Sequence, residues 1–159
     1  MTRYTLIRTP FGTMLATAEG DSLTGLHFHG GRHAPKIARD WIEDASAKPL
    51  RDCAAQIAGY LEGKRKSFDL ALAADGTPFQ RRVWNEIARI PYGKTITYAE
   101  LAKRAGSPGS ARAAGAATGR NPHSIIVPCH RVVGSGGSLT GYAGGLDRKA
   151  RLLALEGRA

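Results

Sequence analysis

The sequence is short of cysteine. Only Cys53 and Cys129 occur in 159 residues, which excludes a disulfide framework and fits reduced thiols in the cytoplasm. No apolar run comes near the ~20 residues that a membrane-spanning helix needs, so no membrane partner is expected. The opening stretch MTRYTLIRTPFG has no apolar signal-peptide core, and secretion is not expected either. Internal repeats and low-complexity tracts are also missing, which sets aside solenoids and extended tails.

Acidic residues are scarce in the second half. Residues 77–159 hold thirteen Lys/Arg against four Asp/Glu, a balance of +9, while residues 1–76 hold ten against nine. Most of the net charge of +10 therefore lies in one half. Such asymmetry points to a polyanion, because each neutralised phosphate releases counterions. The plain alternative is a basic surface with no specific partner.

Residues 4–8, 13–18 and 23–28 alternate apolar and polar side chains between the turn signals TPFG and EGDS, and predict a small antiparallel sheet. Residues 35–45, with Ile37, Trp41 and Ile42, predict a short helix. Residues 50–62 predict another, with Leu50, Cys53, Ile57 and Leu61 on one face. KSFDLAL reads as a further strand and AADGTP as a linker, dividing the chain into domains 1–76 and 77–159. In the second, Thr77, Pro78 and Gln80 form a capping box ahead of Phe79, Val83, Ile87 and Ile90 at helical spacing. Thr97 and Glu100 repeat that signature, and Gly106 marks a stop. SPGS then turns the chain into SARAAGAATGR, completing a helix-turn-helix, and LDRKARLLALEG forms a last helix.

The second helix of that pair carries Ala111, Ala113, Ala114, Gly115, Ala116 and Ala117, with Arg112 as its one long charged side chain. Base-edge readout in a major groove needs bidentate side chains, so these small residues suit close, sequence-indifferent backbone approach, or else a tightly packed core. Further on, IIVPCHRVV sets Cys129 against His130 and Arg131. A thiol of ordinary pKa ~8.5 needs a base or cation to react, and both follow it directly. A water relay from Cys129 to His130 suits adjacent side chains, and either Asp147 or Glu156 could orient the imidazole. Cys129 could equally be a small core hydrophobe, as Cys53 on its helix is expected to be. No metal site is expected, since His27, His29 and His33 have no cysteine partners nearby.

IPYGKTITYAELA, SARAAGAATGRNP, IIVPCHRVV and GYAGGLDRKARLLALEG occur in an order and spacing that resemble the O6-alkylguanine-DNA alkyltransferases, most strongly over residues 77–157. The resemblance implies an α+β fold, with an N-terminal ribonuclease H-like sheet-and-helix domain and a C-terminal helical domain carrying the helix-turn-helix. It implies that Cys129 takes the alkyl group from guanine O6, once per molecule and without a cofactor. His130 would be the relayed base and Glu156, rather than Asp147, its carboxylate. Asn121 would shape the active-site turn and hydrogen-bond near the cysteine. Tyr98 would press on the target phosphate and donate to the base. Arg112 would replace the flipped nucleotide in the stack. Tyr142, Val132 and Gly144 would surround the extruded base, and Ala111, Ala113, Gly115 and Thr97 would join Arg112 and Tyr98 against the minor groove of double-stranded DNA. A monomeric, stand-alone, cytoplasmic form is implied, with O4-alkylthymine as a second substrate. Where some members carry a serine after the loop tyrosine, Ala143 stands here. Two readings compete: a damage-binding module without transfer, which Cys129 argues against, and a Cys-His hydrolase, which would leave the basic half unused.

Overall fold

The computed structural model describes residues 1–157, which cluster into two units. The first comprises Met1–Ala74 together with Pro122–Ser124; the second comprises Asp75–Asn121 and the chain from Ile125 onward.

In the first unit the alternating segments become β1 (Arg3–Thr9), β2 (Gly12–Glu19) and β3 (Ser22–Phe28), an antiparallel meander. The β1–β2 turn is tied by Thr9, whose hydroxyl donates to the Gly12 carbonyl at 2.6 Å and accepts from the Phe11 N–H at 3.1 Å. Strand β2 is buried on both faces from Met14 to Ala18. Helix α1 (Lys48–Leu61) lies on this sheet and buries Leu50, Cys53, Ile57 and Tyr60. Tyr60 takes the place expected for Leu61, which is only half-buried.

Two expectations fail in this unit. Residues 35–45 form no helix; their end supplies β4 (Ile42–Glu43), parallel to β1, in a sheet of order β3-β2-β1-β4. Trp41 meets the Tyr4 ring at 6.2 Å and Ile42 pairs with Arg3, so two of the apolar residues that suggested a helix face lie against β1 instead. KSFDLAL is not a strand beyond a single bridge of Leu72 to Leu23. The Gln56 side chain bonds both the N–H and the C=O of Asp69, at 2.8 and 2.9 Å, so a side chain replaces the sheet ladder there.

The second unit is helical, with α2 (Pro78–Ala88), α3 (Tyr98–Arg104), α4 (Ala111–Gly119) and α5 (Leu146–Leu155). The predicted capping box at Thr77 and Gln80 forms with both reciprocal bonds, a feature worth about 1 kcal/mol. At the second such signature only Thr97 caps, accepting from the Glu100 N–H at 3.1 Å; the Glu100 carboxylate pairs with Arg104 instead. Gly106, at φ +84, ends α3 as expected. Val83, Ile87, Ile90 and Leu101 are essentially sealed, each stabilising the fold by roughly 1.5–3 kcal/mol. Helix α4 packs one face into the core and leaves another exposed. Ala114, Ala117 and Thr118 enter the core, where the Trp84 indole donates to the Ala117 carbonyl at 2.8 Å, while Arg112, Ala113 and Ala116 stay exposed.

Candidate active site

The nucleophile candidate sits in a tightly specified turn. Pro128 adopts φ −81 and ψ 67, the inverse γ-turn geometry, and the Cys129 N–H returns to the Val127 carbonyl at 2.8 Å. The same carbonyl accepts from the Asn121 amide at 2.8 Å. Residues Cys129–Arg131 then make one 3-10 turn before β6 (Val132–Val133), which pairs in parallel with β5 (Ile96–Thr97). That short ladder connects the cysteine turn to the start of α3, where Tyr98 stands.

Cys129 is buried at 6% exposure, and its surroundings are polar. Burial pushes the thiol above its ordinary range; a hydrogen bond from Asn121, the Lys149 charge and two main-chain N–H groups pull it back. The expected cationic neighbour, Arg131, is committed elsewhere. Its guanidinium grips Glu156 through two bonds of 2.8 Å and donates to the Ile90 carbonyl at 2.7 Å. Lys149 fills that place instead. It is fully buried in α5, donates to the Thr140 and Gly141 carbonyls at 2.7 and 3.1 Å, and burial lowers it to about 8 against the pull of Cys129. A lysine in a basic helix gives no sequence signal of this kind, and sequence reasoning missed it.

His130 is fully buried, and its Nε2 donates to the Glu156 carboxylate at 2.9 Å. Asp147, the other acid near the chain's end, lies exposed in the first turn of α5. Glu156 ends α5 and therefore meets His130 and Arg131 together. Burial lowers the imidazole below its ordinary range; Glu156 opposes that, while Arg131 and Lys149 add to it. With Nε2 bound to Glu156, Nδ1 is the basic nitrogen.

Beside this core lies an open cleft of about 510 Å³. Its walls are the start of α3 (Thr97, Tyr98), one face of α4 (Ala111, Arg112, Gly115) and the glycine-rich loop (Gly134, Thr140, Gly141). The Tyr98 hydroxyl donates to the Thr140 carbonyl at 3.1 Å, and its ring lies 5.7 Å from the Lys149 ammonium. Gly115 of α4 faces that ring, and a Cβ there would meet it at 3.7 Å, an ordinary van der Waals contact. Ala113 points to solvent outside the cleft walls, and Val132 is sealed opposite Ile96. Tyr142 is half-buried with its hydroxyl withdrawn from solvent. Gly144, also half-buried, accepts from Arg148 at 3.0 Å.

Fold and site together define a two-unit α+β protein whose second unit carries a helix-turn-helix and a buried, polar-flanked thiol. Residues 78–158 match the model of the 6-O-methylguanine DNA methyltransferase DNA binding domain, and residues 2–74 match that of the 6-O-methylguanine DNA methyltransferase ribonuclease-like domain. The chain is similar to a methylated-DNA–protein-cysteine methyltransferase of Methanosarcina acetivorans, 45% identical over 97% of each chain. Among solved structures it is similar to the Mycobacterium tuberculosis O6-methylguanine methyltransferase, at 43% identity and TM-score 0.89 over 100% of this chain and 95% of that one. It is also similar to the M. tuberculosis OGT in complex with DNA, at 42% identity and TM-score 0.89 over 99% and 94%. The chain belongs to the 6-O-methylguanine DNA methyltransferase family.

Proposed function

We propose that this protein repairs O6-alkylguanine in double-stranded DNA by moving the alkyl group to its own Cys129. The observation that carries this reading is the environment of Cys129. The sulfur is buried against the Asn121 amide and the Lys149 charge, one residue before an imidazole held by a buried carboxylate, and the helix-turn-helix lines a cleft that carries Arg112. Guanine O6 is inaccessible in a duplex, so the base must leave the stack, at about a few kcal/mol. Arg112 is exposed on the cleft wall and takes the vacated position, while the small residues of α4 approach the minor groove. The surplus cations of residues 77–159 hold the phosphates, and the domain of residues 1–76 acts as scaffold.

His130 Nδ1 takes the Cys129 proton through water, and Glu156 stabilises the resulting imidazolium. Sulfur then forms a bond to the alkyl carbon as the carbon–O6 bond breaks. The electron pair stays on the guanine, which gains a proton from Tyr98, and the proton held on His130 returns through water to Tyr98, leaving both side chains neutral. Tyr142 and Gly144 enclose the base meanwhile, while Val132, sealed opposite Ile96, supports the cysteine turn from behind. The thioether has no route back, so each molecule acts once, as a monomer and without a cofactor; O4-alkylthymine is a second substrate. No described helix is long and apolar enough to cross a membrane, and the cytoplasm is the proposed location.

The test is stoichiometry. Duplex DNA containing O6-methylguanine is mixed with increasing protein, digested, and assayed for restored guanine. One guanine per protein molecule, with no later turnover, supports the reading. Tight binding without restored guanine would make the protein a damage sensor. Repeated turnover of a small ester would make it a hydrolase.

A further inference from the structure

Three residues of the active-site loop leave the second unit and join the sheet of the first. Leu26 of β3 donates to the Pro122 carbonyl at 2.8 Å and accepts from the Ser124 N–H at 2.9 Å, so that His123 pairs with it as a parallel bridge. His123 is buried at 3% exposure, and its Nε2 donates to the Leu23 carbonyl at 2.9 Å. Burial keeps it below the ordinary imidazole range, hence neutral; His27, lowered to about 4 by burial and by His123, is the titratable side chain beside it. The next residue, Ile125, lies at φ 72. A β-branched residue adopts that left-handed conformation only where its surroundings impose it.

What imposes it is visible on both sides. Upstream, the main chain of 122–124 and the His123 ring are fixed on β3. Downstream, the Val127 carbonyl is held by Asn121 and by the Cys129 N–H. Residues 121–129 therefore form a loop closed at Asn121 and Val127 and pinned at His123, with the strain at Ile125 between the pins. A shift at position 123 moves Asn121, two residues away, and with it the Val127 carbonyl that sets the cysteine turn.

We propose that His123 is a positioning residue for Cys129: anchored on the Leu23 carbonyl, it sets the register of the loop that presents the sulfur to the Asn121 amide. The proposal rests on Cys129 being the alkyl acceptor.

Its test compares full-length His123→Phe, which keeps a ring but no donor, with His123→Gln, whose amide can still reach the Leu23 carbonyl. Each is assayed for melting temperature, affinity for undamaged duplex, transfer from free O6-benzylguanine, and iodoacetamide modification of the Cys129 peptide against pH. The Phe variant is expected to bind duplex like wild type, transfer about 10-fold more slowly, and show a displaced iodoacetamide midpoint. The Gln variant is expected to regain transfer to within about threefold of wild type. If the Phe variant does not fold, His123→Met makes the same comparison. Unchanged transfer and unchanged iodoacetamide midpoint in a folded donor-less variant overturn the proposal, as does a Gln variant as slow as the Phe variant. Failure of wild type itself to accept the benzyl group would instead refute Cys129 as acceptor, and the iodoacetamide comparison would still test the loop.

Discussion

Helix α1 and the turn after Pro128 each bury one cysteine, and the two thiols differ in what surrounds them. Cys53 lies in an apolar helix face, where burial alone pushes it up to about 12. Cys129 is buried too, but an amide, an ammonium and two main-chain N–H groups oppose the burial. Desolvation alone makes a thiol inert. A reactive buried thiol needs dipoles and charges already aimed at the sulfur, together with a base that is itself neutral at rest. The cost of that polar cluster is met locally, since Glu156 serves His130 and Arg131 at once and Arg131 also satisfies the Ile90 carbonyl.

The largest effect expected from this contrast is on transfer itself. Cys129→Ala should abolish alkyl transfer, while Cys53→Ala should keep it and lower stability by about 1 kcal/mol, as for a small buried truncation; single-turnover assays and denaturant melts measure both. Equal losses of transfer would erase the distinction between the two sites. Next comes Glu156→Ala, which leaves the Arg131 charge buried without its carboxylate. A loss of about 3–5 kcal/mol is expected on that ground, read from urea unfolding, together with slower transfer in whatever remains folded. A variant as stable as wild type would show that the cluster is not structurally coupled.

The smallest effect is expected at Lys149. Its folded value of about 8 lies below the ordinary 10.5, so between those limits the unfolded chain holds the proton more tightly. This side chain's contribution therefore makes stability rise with pH from about 8 to 10.5. Lys149→Met should remove that rise from the melting profile and move the pH midpoint of Cys129 alkylation upward. A midpoint that stays in place would exclude the ammonium as a partner of the sulfur.

Much of this architecture was readable from local pattern. Alternation and glycine turns delineate β1 to β3, and Thr77 with Gln80 marks the start of α2, because these signals act between near neighbours. The expected helix at 35–45 fails because Ile42 and Glu43 find Arg3 and Tyr4, about forty residues away, as strand partners. Cys129, His130 and Asn121 stand close in sequence and were identifiable by motif. The pairing of Arg131 with Glu156 and the approach of Lys149 to Cys129 depend on where α5 docks, which no local pattern encodes. The β5–β6 ladder that carries Tyr98 toward the cysteine turn is equally non-local. The role argued for His123 comes from a bridge between residues 26 and 123, a separation at which side-chain pattern is silent.

The most direct measurement is site-resolved mass spectrometry of the intact protein and its peptides after reaction with duplex DNA containing O6-methylguanine. The account predicts one added methyl group, located on the peptide containing Cys129, with the Cys53 peptide unchanged. A methyl group found on any other residue, or restored guanine with no mass gained by the protein, would contradict it.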